Sequence, residues 1–235
     1  MIKIAIMQPY VFPYLGYFQL INAVDTFVFL NDVNFIKKGF INRNNILING
    51  NKNRFTIPCK SISQNKLINK TILDFDAEAK SKFLKTLTLA YSKAPFFNDI
   101  FPLISNFITE TASQSISEFA IESVKLVSNY LGLEKKWVLS SNSHSDSIEM
   151  TKEKRIINIA QKEKASVYIN PIGGIELYSK IDFNNQNIQL NFLKSKEIHY
   201  KQFNNDFVPW LSIIDVLMFN KKDELAKLLS KFNLV

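Results

Sequence analysis

The chain has one cysteine, six glycines, two histidines and two tryptophans in 235 residues, and each scarcity excludes something. A lone Cys59 cannot close an internal disulfide, so the sequence points to a reducing compartment and a fold held by its apolar core. Following Pro58 at the end of an apolar run, Cys59 reads as a packing residue, since no nearby base is evident to make it a nucleophile. Two distant histidines and no paired cysteines do not make a zinc site, and no metal is expected. There is no Gly-x-Ser-x-Gly, no P-loop and no dinucleotide glycine fingerprint. No apolar run approaches the roughly 20 residues that span a bilayer, and the short run at the N-terminus is too brief for a signal peptide. Stable membrane insertion is therefore not expected, and the cytoplasm is the expected location.

What the chain does have is apolar content and positive charge. With 46% hydrophobic residues it is long enough to bury one large core or two unequal lobes. Its 29 Lys and Arg against 21 Asp and Glu leave a formal charge of +8, which favours an anionic small molecule such as a nucleotide or nucleotide-linked sugar. Nucleic acid is not the expected partner, because lysines such as Lys80, Lys82, Lys85 and Lys93 are scattered between apolar positions instead of forming a stripe.

Residues 2–7 are nearly all apolar and read as a buried parallel strand, stopped by Pro9 and Pro13. A short helix over 17–24 and an aromatic, β-branched strand over 26–30 complete a βαβ unit, whose loop lies at the C-terminal edge of the sheet. Asn49-Gly50 between two apolar runs predicts a hairpin. Further expected strands cover 71–75, 136–140 and 166–170, with a small β region over 173–205. Helical spacing predicts helices over 77–93, 98–109 (interrupted at Pro102), 115–131, 151–164, 210–219 and 223–231, with Gly132 as the C-cap of the third. The segment SSNSHSDS (140–147) reads as a polar linker. The expected fold is thus α/β and Rossmann-like, with a mostly parallel sheet. Its expected parts are residues 1–76 and 133–235 as the two halves of the core and 77–132 as a helical insert.

Three segments carry the chemistry. The first is MQPYVFPYLGYFQLINAVDTFVFLNDVNFIKKGFINRN (7–44), the second TKEKRIINIAQKEKASVYINPIGGIELY (151–178) and the third PWLSIIDVLMFN (209–220). Together they resemble the signatures of the WbqC-like family, found among bacterial surface-polysaccharide genes. The resemblance runs from end to end, with departures at Asn31, Asn34 and Phe40. It implies a role in O-antigen or related polysaccharide synthesis.

Within the first segment, Tyr14-Leu15-Gly16-Tyr17 stands where nucleotidylyltransferases carry His-x-Gly-His, a loop whose small Gly lets a nucleotide lie against a helix N-terminus. The histidines are absent, which points to a HUP-like Rossmann variant that keeps the pocket. Gln8, Tyr10, Tyr14, Gly16 and Tyr17 are therefore candidate ligand contacts; the competing reading is that these aromatics form a hydrophobic loop cluster with Phe12 and Phe18. Asp32, just past the second strand, is a candidate base or a turn cap. Lys37, Arg43 and Asn44 form a positive and polar group beyond it, with Arg43 the preferred anion anchor.

In the second segment Arg155 shares a helix face with apolar residues, as an anion ligand or half of an ion pair. Asn170, Gly173 and Gly174 follow a strand, where paired glycines let backbone amides approach an anion, and Tyr178 flanks them. In the third, Asp215 lies in an otherwise apolar helix, as a base or as a partner of Arg155 or a helix end. His144 is a third candidate base. The leading functional expectation is transfer of an acyl or aminoacyl group to the amine of a nucleotide-linked amino sugar, with acyl-CoA or ATP and magnesium as the co-substrates considered. The rivals are an adenylate-forming enzyme and a non-catalytic sugar-nucleotide binder.

Overall fold

A computed structural model describes residues 1–204 and 206–235. In chain order its elements are β1 (Lys3–Met7), α1 (Leu15–Asn22), β2 (Thr26–Phe29), β3 (Arg43–Ile48), β4 (Asn51–Thr56), α2 (Ala77–Tyr91), α3 (Phe97–Glu110) and α4 (Ile116–Tyr130). Then come β5 (Lys136–Leu139), α5 (Ser140–Ser143), α6 (Lys152–Lys162), β6 (Val167–Pro171), α7 (Lys180–Asn184), β7 (Gln189–Ser195), α8 (Ile213–Phe219), α9 (Lys222–Leu229) and β8 (Phe232–Leu234).

Six strands form one sheet in the order β5-β2-β1-β6-β7-β8. All neighbours are parallel except the β7–β8 pair. The fold is α/β and Rossmann-like, as the apolar strands predict. From β1 the chain moves outward through β2 to β5, then returns to the other side of β1 with β6 and β7. The strand order therefore reverses between β1 and β6, and open α/β sheets take their ligands in the crevice outside the strand ends at such a point.

Side-chain alternation divides the core. Ala5, Phe27, Phe29, Val167, Ile169 and Leu193 face a large apolar cluster shared with α1, α2, α3, α4, α8, α9 and the β3–β4 hairpin. Ile4, Ile6, Val28, Val138, Tyr168, Leu190 and Phe192 face a smaller cluster covered by α6 and α7. No helix among the described residues is long and apolar enough to cross a membrane.

Several local expectations hold for their stated reasons. Asn49 and Gly50 both take positive φ, 50° and 74°, as the tight β3–β4 turn requires. Gly132 follows α4 at φ 72°, and α4 opens on a capping box of Ser115 and Glu118. Others are corrected. Residues 71–75 form isolated bridges, Ile72 to Ser115 and Leu73 to Cys59, because no strand runs alongside them for longer. α3 runs unbroken through Pro102, whose missing N–H lies on the exposed side. The last long helix pair starts at Ile213, with Trp210 outside it at φ 62°. The segment from 173 to 204 contributes one strand, β7, to the main sheet together with the short α7, because Leu190 and Phe192 complete the smaller core instead of a separate β unit.

Candidate functional site

The β1–α1 loop is fixed by the elements around it. Phe12 adopts φ 40°, a strained value for a bulky residue. Its carbonyl accepts from Asn44 Nδ2 at 2.8 Å and Ser212 Oγ at 2.6 Å, and its N–H donates to Ser123 Oγ at 3.1 Å. Val11 N–H donates to the Ile41 carbonyl at 3.2 Å, and Ile213 N–H to that of Pro13 at 2.8 Å. Asn44 is thus spent on holding the loop. Tyr17 is buried, with its hydroxyl on the Gln8 carbonyl at 2.9 Å. Tyr10 packs against Tyr17 and Phe40, and Tyr14 also packs against Phe40. Burial raises all three tyrosine hydroxyls, Tyr10 to about 12. Most of the aromatic signature is therefore loop core, while Tyr14 also meets a cavity.

That cavity, of about 410 Å³, lies between the start of α1 and the segment after β7. Tyr14, Tyr200, Phe207 and Trp210 supply ring walls, and Ser195, Lys196, Glu197 and His199 supply polar groups. Leu15 and Gly16 line it at the first turn of α1, where no side chain caps the helix and no acid is present. The positive end of α1 thus faces the cavity. A Cβ on Gly16 would stand 2.8 Å from Tyr14 Cε2 and 3.2 Å from Ser195 Oγ, so glycine keeps the helix end close to both. Ser195 Oγ donates to Gln19 Oε1 at 2.6 Å, and Gln19 in turn donates to the carbonyls of Leu228 and Lys231.

On the other face of the sheet, α6 brings Arg155 to the ends of β2 and β5. Its Nη2 lies 2.8 and 2.7 Å from the two Asp32 carboxylate oxygens, and its Nε donates to Ser147 Oγ at 3.2 Å. Ser140 Oγ lies 2.5 Å from Asp32 Oδ1, and Asn31 Oδ1 accepts from Ser141 N–H at 3.1 Å. Asp32 and Arg155 are 4% and 5% exposed, a sealed pair. Residues 140–147, expected as a polar linker, are helical turns instead. They order because Ser140, His144 and Ser147 each find a buried partner. His144 is 2% exposed and bonds Glu163 at 3.1 Å through Nε2, while Glu163 also holds Lys136 at 2.7 Å.

At the β1–β6 reversal stand Gln8 and Asn170. Gln8 Oε1 is buried and has no hydrogen-bond partner among the described residues. Asn170 accepts from Tyr168 Oη at 3.2 Å. A Cβ on Gly174 would fall 1.9 Å from Asn170 Nδ2, whereas one on Gly173 would meet nothing within 4 Å. Gly174 is accordingly a packing requirement of the crevice floor. Gly174→Ala is expected to cost about 1–3 kcal/mol in chemical denaturation by overpacking, and Asn170→Ala in the same chain should recover most of it. Tyr178 meets the Tyr168 ring edge-on.

Asp215 has a different partner set from the one expected. Its Oδ2 accepts from Tyr91 Oη at 2.9 Å, and its Oδ1 from Tyr200 Oη at 2.6 Å and Gln202 Nε2 at 2.7 Å. No cation reaches it among the described residues, and Arg155 is on Asp32. Desolvation raises the Asp215 carboxyl above its ordinary 3.8, and the Tyr200, Gln202 and Tyr91 donors pull it partly back. A raised folded-state value means that the folded protein binds this proton more tightly than the unfolded chain. The contribution to stability is therefore fully present below the unfolded value and is lost as pH rises through the folded one. Asp215→Asn should flatten that component: as pH rises above the ordinary carboxyl value of 3.8, the wild type should lose stability relative to the variant. A constant difference above that value would show that the carboxyl does not titrate there.

Arg43, the preferred anion anchor, is half-buried with Nε on the Gly39 carbonyl at 3.0 Å; Lys37 and Lys38 are exposed. Cys59 is a packing residue whose thiol is pushed up to about 12 by burial. The fold brings Asp32, Arg155, Gln8, Asn170, Gly174 and Tyr178 to one face of the strand ends, and Tyr14 and Gly16 to the other. The sequence reading missed Ser140, Ser147, Ser195, Glu197, His199 and Phe207. None of them stands in a motif, and the nearest signal was the cluster of aromatic and polar residues at 195–210.

No solved structure matches the chain. The Mycobacterium tuberculosis protein named "Uncharacterized protein Rv1507c" is 27% identical over 220 residues, covering 93% of each chain. The description of the WbqC-like protein family matches residues 8–227, which takes in Gln8, the Asp32–Arg155 pair, the Gly16 cavity and Asp215. The chain belongs to the WbqC-like protein family.

Proposed function

We propose that the chain binds a nucleotide-linked amino sugar at the C-terminal edge of its sheet and transfers an acyl or aminoacyl group to the sugar amine during surface-polysaccharide synthesis. The observation that carries this reading is the cavity of about 410 Å³ at the uncapped start of α1. It is of ligand-pocket size. It combines ring faces that suit a base or sugar with a helix N-terminus and Lys196 that suit a diphosphate. The formal charge of +8 favours the same anionic class. The polysaccharide setting comes from the family.

The test is a thermal-shift screen of the purified protein against UDP-, GDP- and dTDP-linked amino sugars, acyl-CoA thioesters, and ATP with magnesium. A ligand at about a hundred times its dissociation constant adds roughly 2.7 kcal/mol to stability. Stabilisation by an amino-sugar nucleotide supports the reading. Stabilisation by ATP alone favours the adenylate-forming alternative, which would use the same cavity because Gly16 stands where HUP enzymes approach their nucleotide. Affinity without turnover favours a non-catalytic binder.

A further inference from the structure

Acylating an amine requires a group that takes a proton from nitrogen as the new bond forms. The three side chains that the sequence offers for this are committed elsewhere. Asp32 is sealed against Arg155 and Ser140. Asp215 is fully buried behind Tyr91, Tyr200 and Gln202. His144 is buried against Glu163.

The titratable groups on the cavity wall are Tyr14, Lys196, Glu197, His199 and Tyr200. Burial raises the hydroxyls of Tyr14 and Tyr200, and the Tyr200 proton is already given to Asp215 at 2.6 Å. Lys196 carries a cation suited to the ligand's phosphates. Glu197 Oε1 lies 2.8 Å from His199 Nε2, and the His199 ring rests on Phe207 with centroids 4.9 Å apart. The carboxylate and the phenyl ring together set the plane of the imidazole. Engaging Nε2 as a donor leaves Nδ1 as the proton acceptor. Both side chains stand at the solvent-facing mouth of the cavity, 64% exposed for His199 and 84% for Glu197, where the imidazole is accessible to a ligand amine.

We propose that His199 is the proton-accepting catalytic residue of the transfer and that Glu197 is its positioning residue; this rests on the function proposed above. With a thioester donor the step balances as follows. The lone pair of the sugar amine forms a bond to the acyl carbon, and the carbon–sulfur bond breaks with its electron pair on sulfur. The proton leaving nitrogen passes to His199 Nδ1 and from there to the departing thiolate, giving an amide and a free thiol. No oxidant or metal enters the balance.

The experiment uses the full chain with the amino-sugar nucleotides and acyl-CoA thioesters of the stability screen, following release of free thiol. His199→Gln should lower kcat about 100-fold or more, within the range for loss of a general base, while KM and nucleotide-sugar stabilisation stay within about 3-fold of wild type. Glu197→Gln should lower kcat by about 10-fold. His199→Ala should regain activity on addition of free imidazole, which a merely structural role for the ring would not permit. Wild-type turnover by His199→Gln, or no imidazole rescue, overturns the assignment and leaves the binding proposal standing. Absence of both stabilisation and thiol release with every pair overturns both.

Discussion

Replacing Arg155 by methionine is expected to lower the free energy of unfolding by about 3–5 kcal/mol, the usual cost of removing one partner from a buried ion pair. Asp32 is 4% exposed and accepts both short contacts from Arg155 Nη2. Without the guanidinium, its charge would keep, among the described residues, only the Ser140 hydroxyl as a side-chain donor. Methionine preserves much of the length and apolar stem, so the loss reports the charge and its hydrogen bonds more than a cavity. The second strand end should loosen with it, since Ser140, Ser147 and Asn31 belong to the same network. A denaturation series on Arg155→Met, Asp32→Asn and the double variant gives the coupling directly. The double variant should be less destabilised than the sum of the singles. A single-variant loss below about 1 kcal/mol, the range of exposed pairs, would mean that water reaches the site and the pair is not sealed.

The second large effect concerns binding instead of stability. Gly16→Leu should remove most of the ligand-dependent stabilisation, weakening affinity by about 100-fold or more, which leaves at most about 0.4 kcal/mol of a roughly 2.7 kcal/mol shift. The new side chain would start 2.8 Å from the Tyr14 ring and 3.2 Å from Ser195 Oγ and extend into the cavity that Gly16 lines. The ligand-free protein should be far less affected. Leucine is favoured over glycine within a helix by somewhat under 1 kcal/mol, which offsets part of the cost of turning the Tyr14 ring aside. Gly16→Ala, with only the Cβ, should give an intermediate loss. Measuring ligand-free melting and ligand-induced shift on the same samples separates the two contributions. Undiminished shifts in Gly16→Leu would place the ligand away from the α1 end.

The buried pair and the cavity lie on opposite faces of the sheet, which suggests a division of labour in this family member. The Asp32–Arg155 network fixes the strand ends that the crevice needs. The more open cavity at α1 keeps its polar groups available. Gln8 Oε1, just past β1, is buried without a hydrogen-bond partner among the described residues and could accept from a hydroxyl or amine.

Local physics made much of this readable from the residues alone. The strands β1, β2 and β6 are apolar on successive residues because both sheet faces are covered. The Asn49-Gly50 turn and the Gly132 cap follow from positive φ, and the helix faces from their spacing. Those features, with the three signature segments, also carried the family and marked Asp32, Arg155 and Gly16 as unusual. Partner choice was not readable, because it depends on residues brought together from about 110 or more positions away, Asp32 with Ser140 and Arg155, and Asp215 with Tyr91. Asp215 looked like a free or Arg-paired carboxylate until the return of α2 placed a tyrosine against it. His144 reads as a candidate base in a polar linker, whereas Glu163 closes over it in the fold. Sequence by itself determined most of the elements and the family, through periodicity, turn chemistry and the three signature segments. Tertiary structure alone decided which polar groups are consumed inside and which, like His199 and Glu197, are left facing a cavity, because burial and long-range pairing exist only once the sheet has closed.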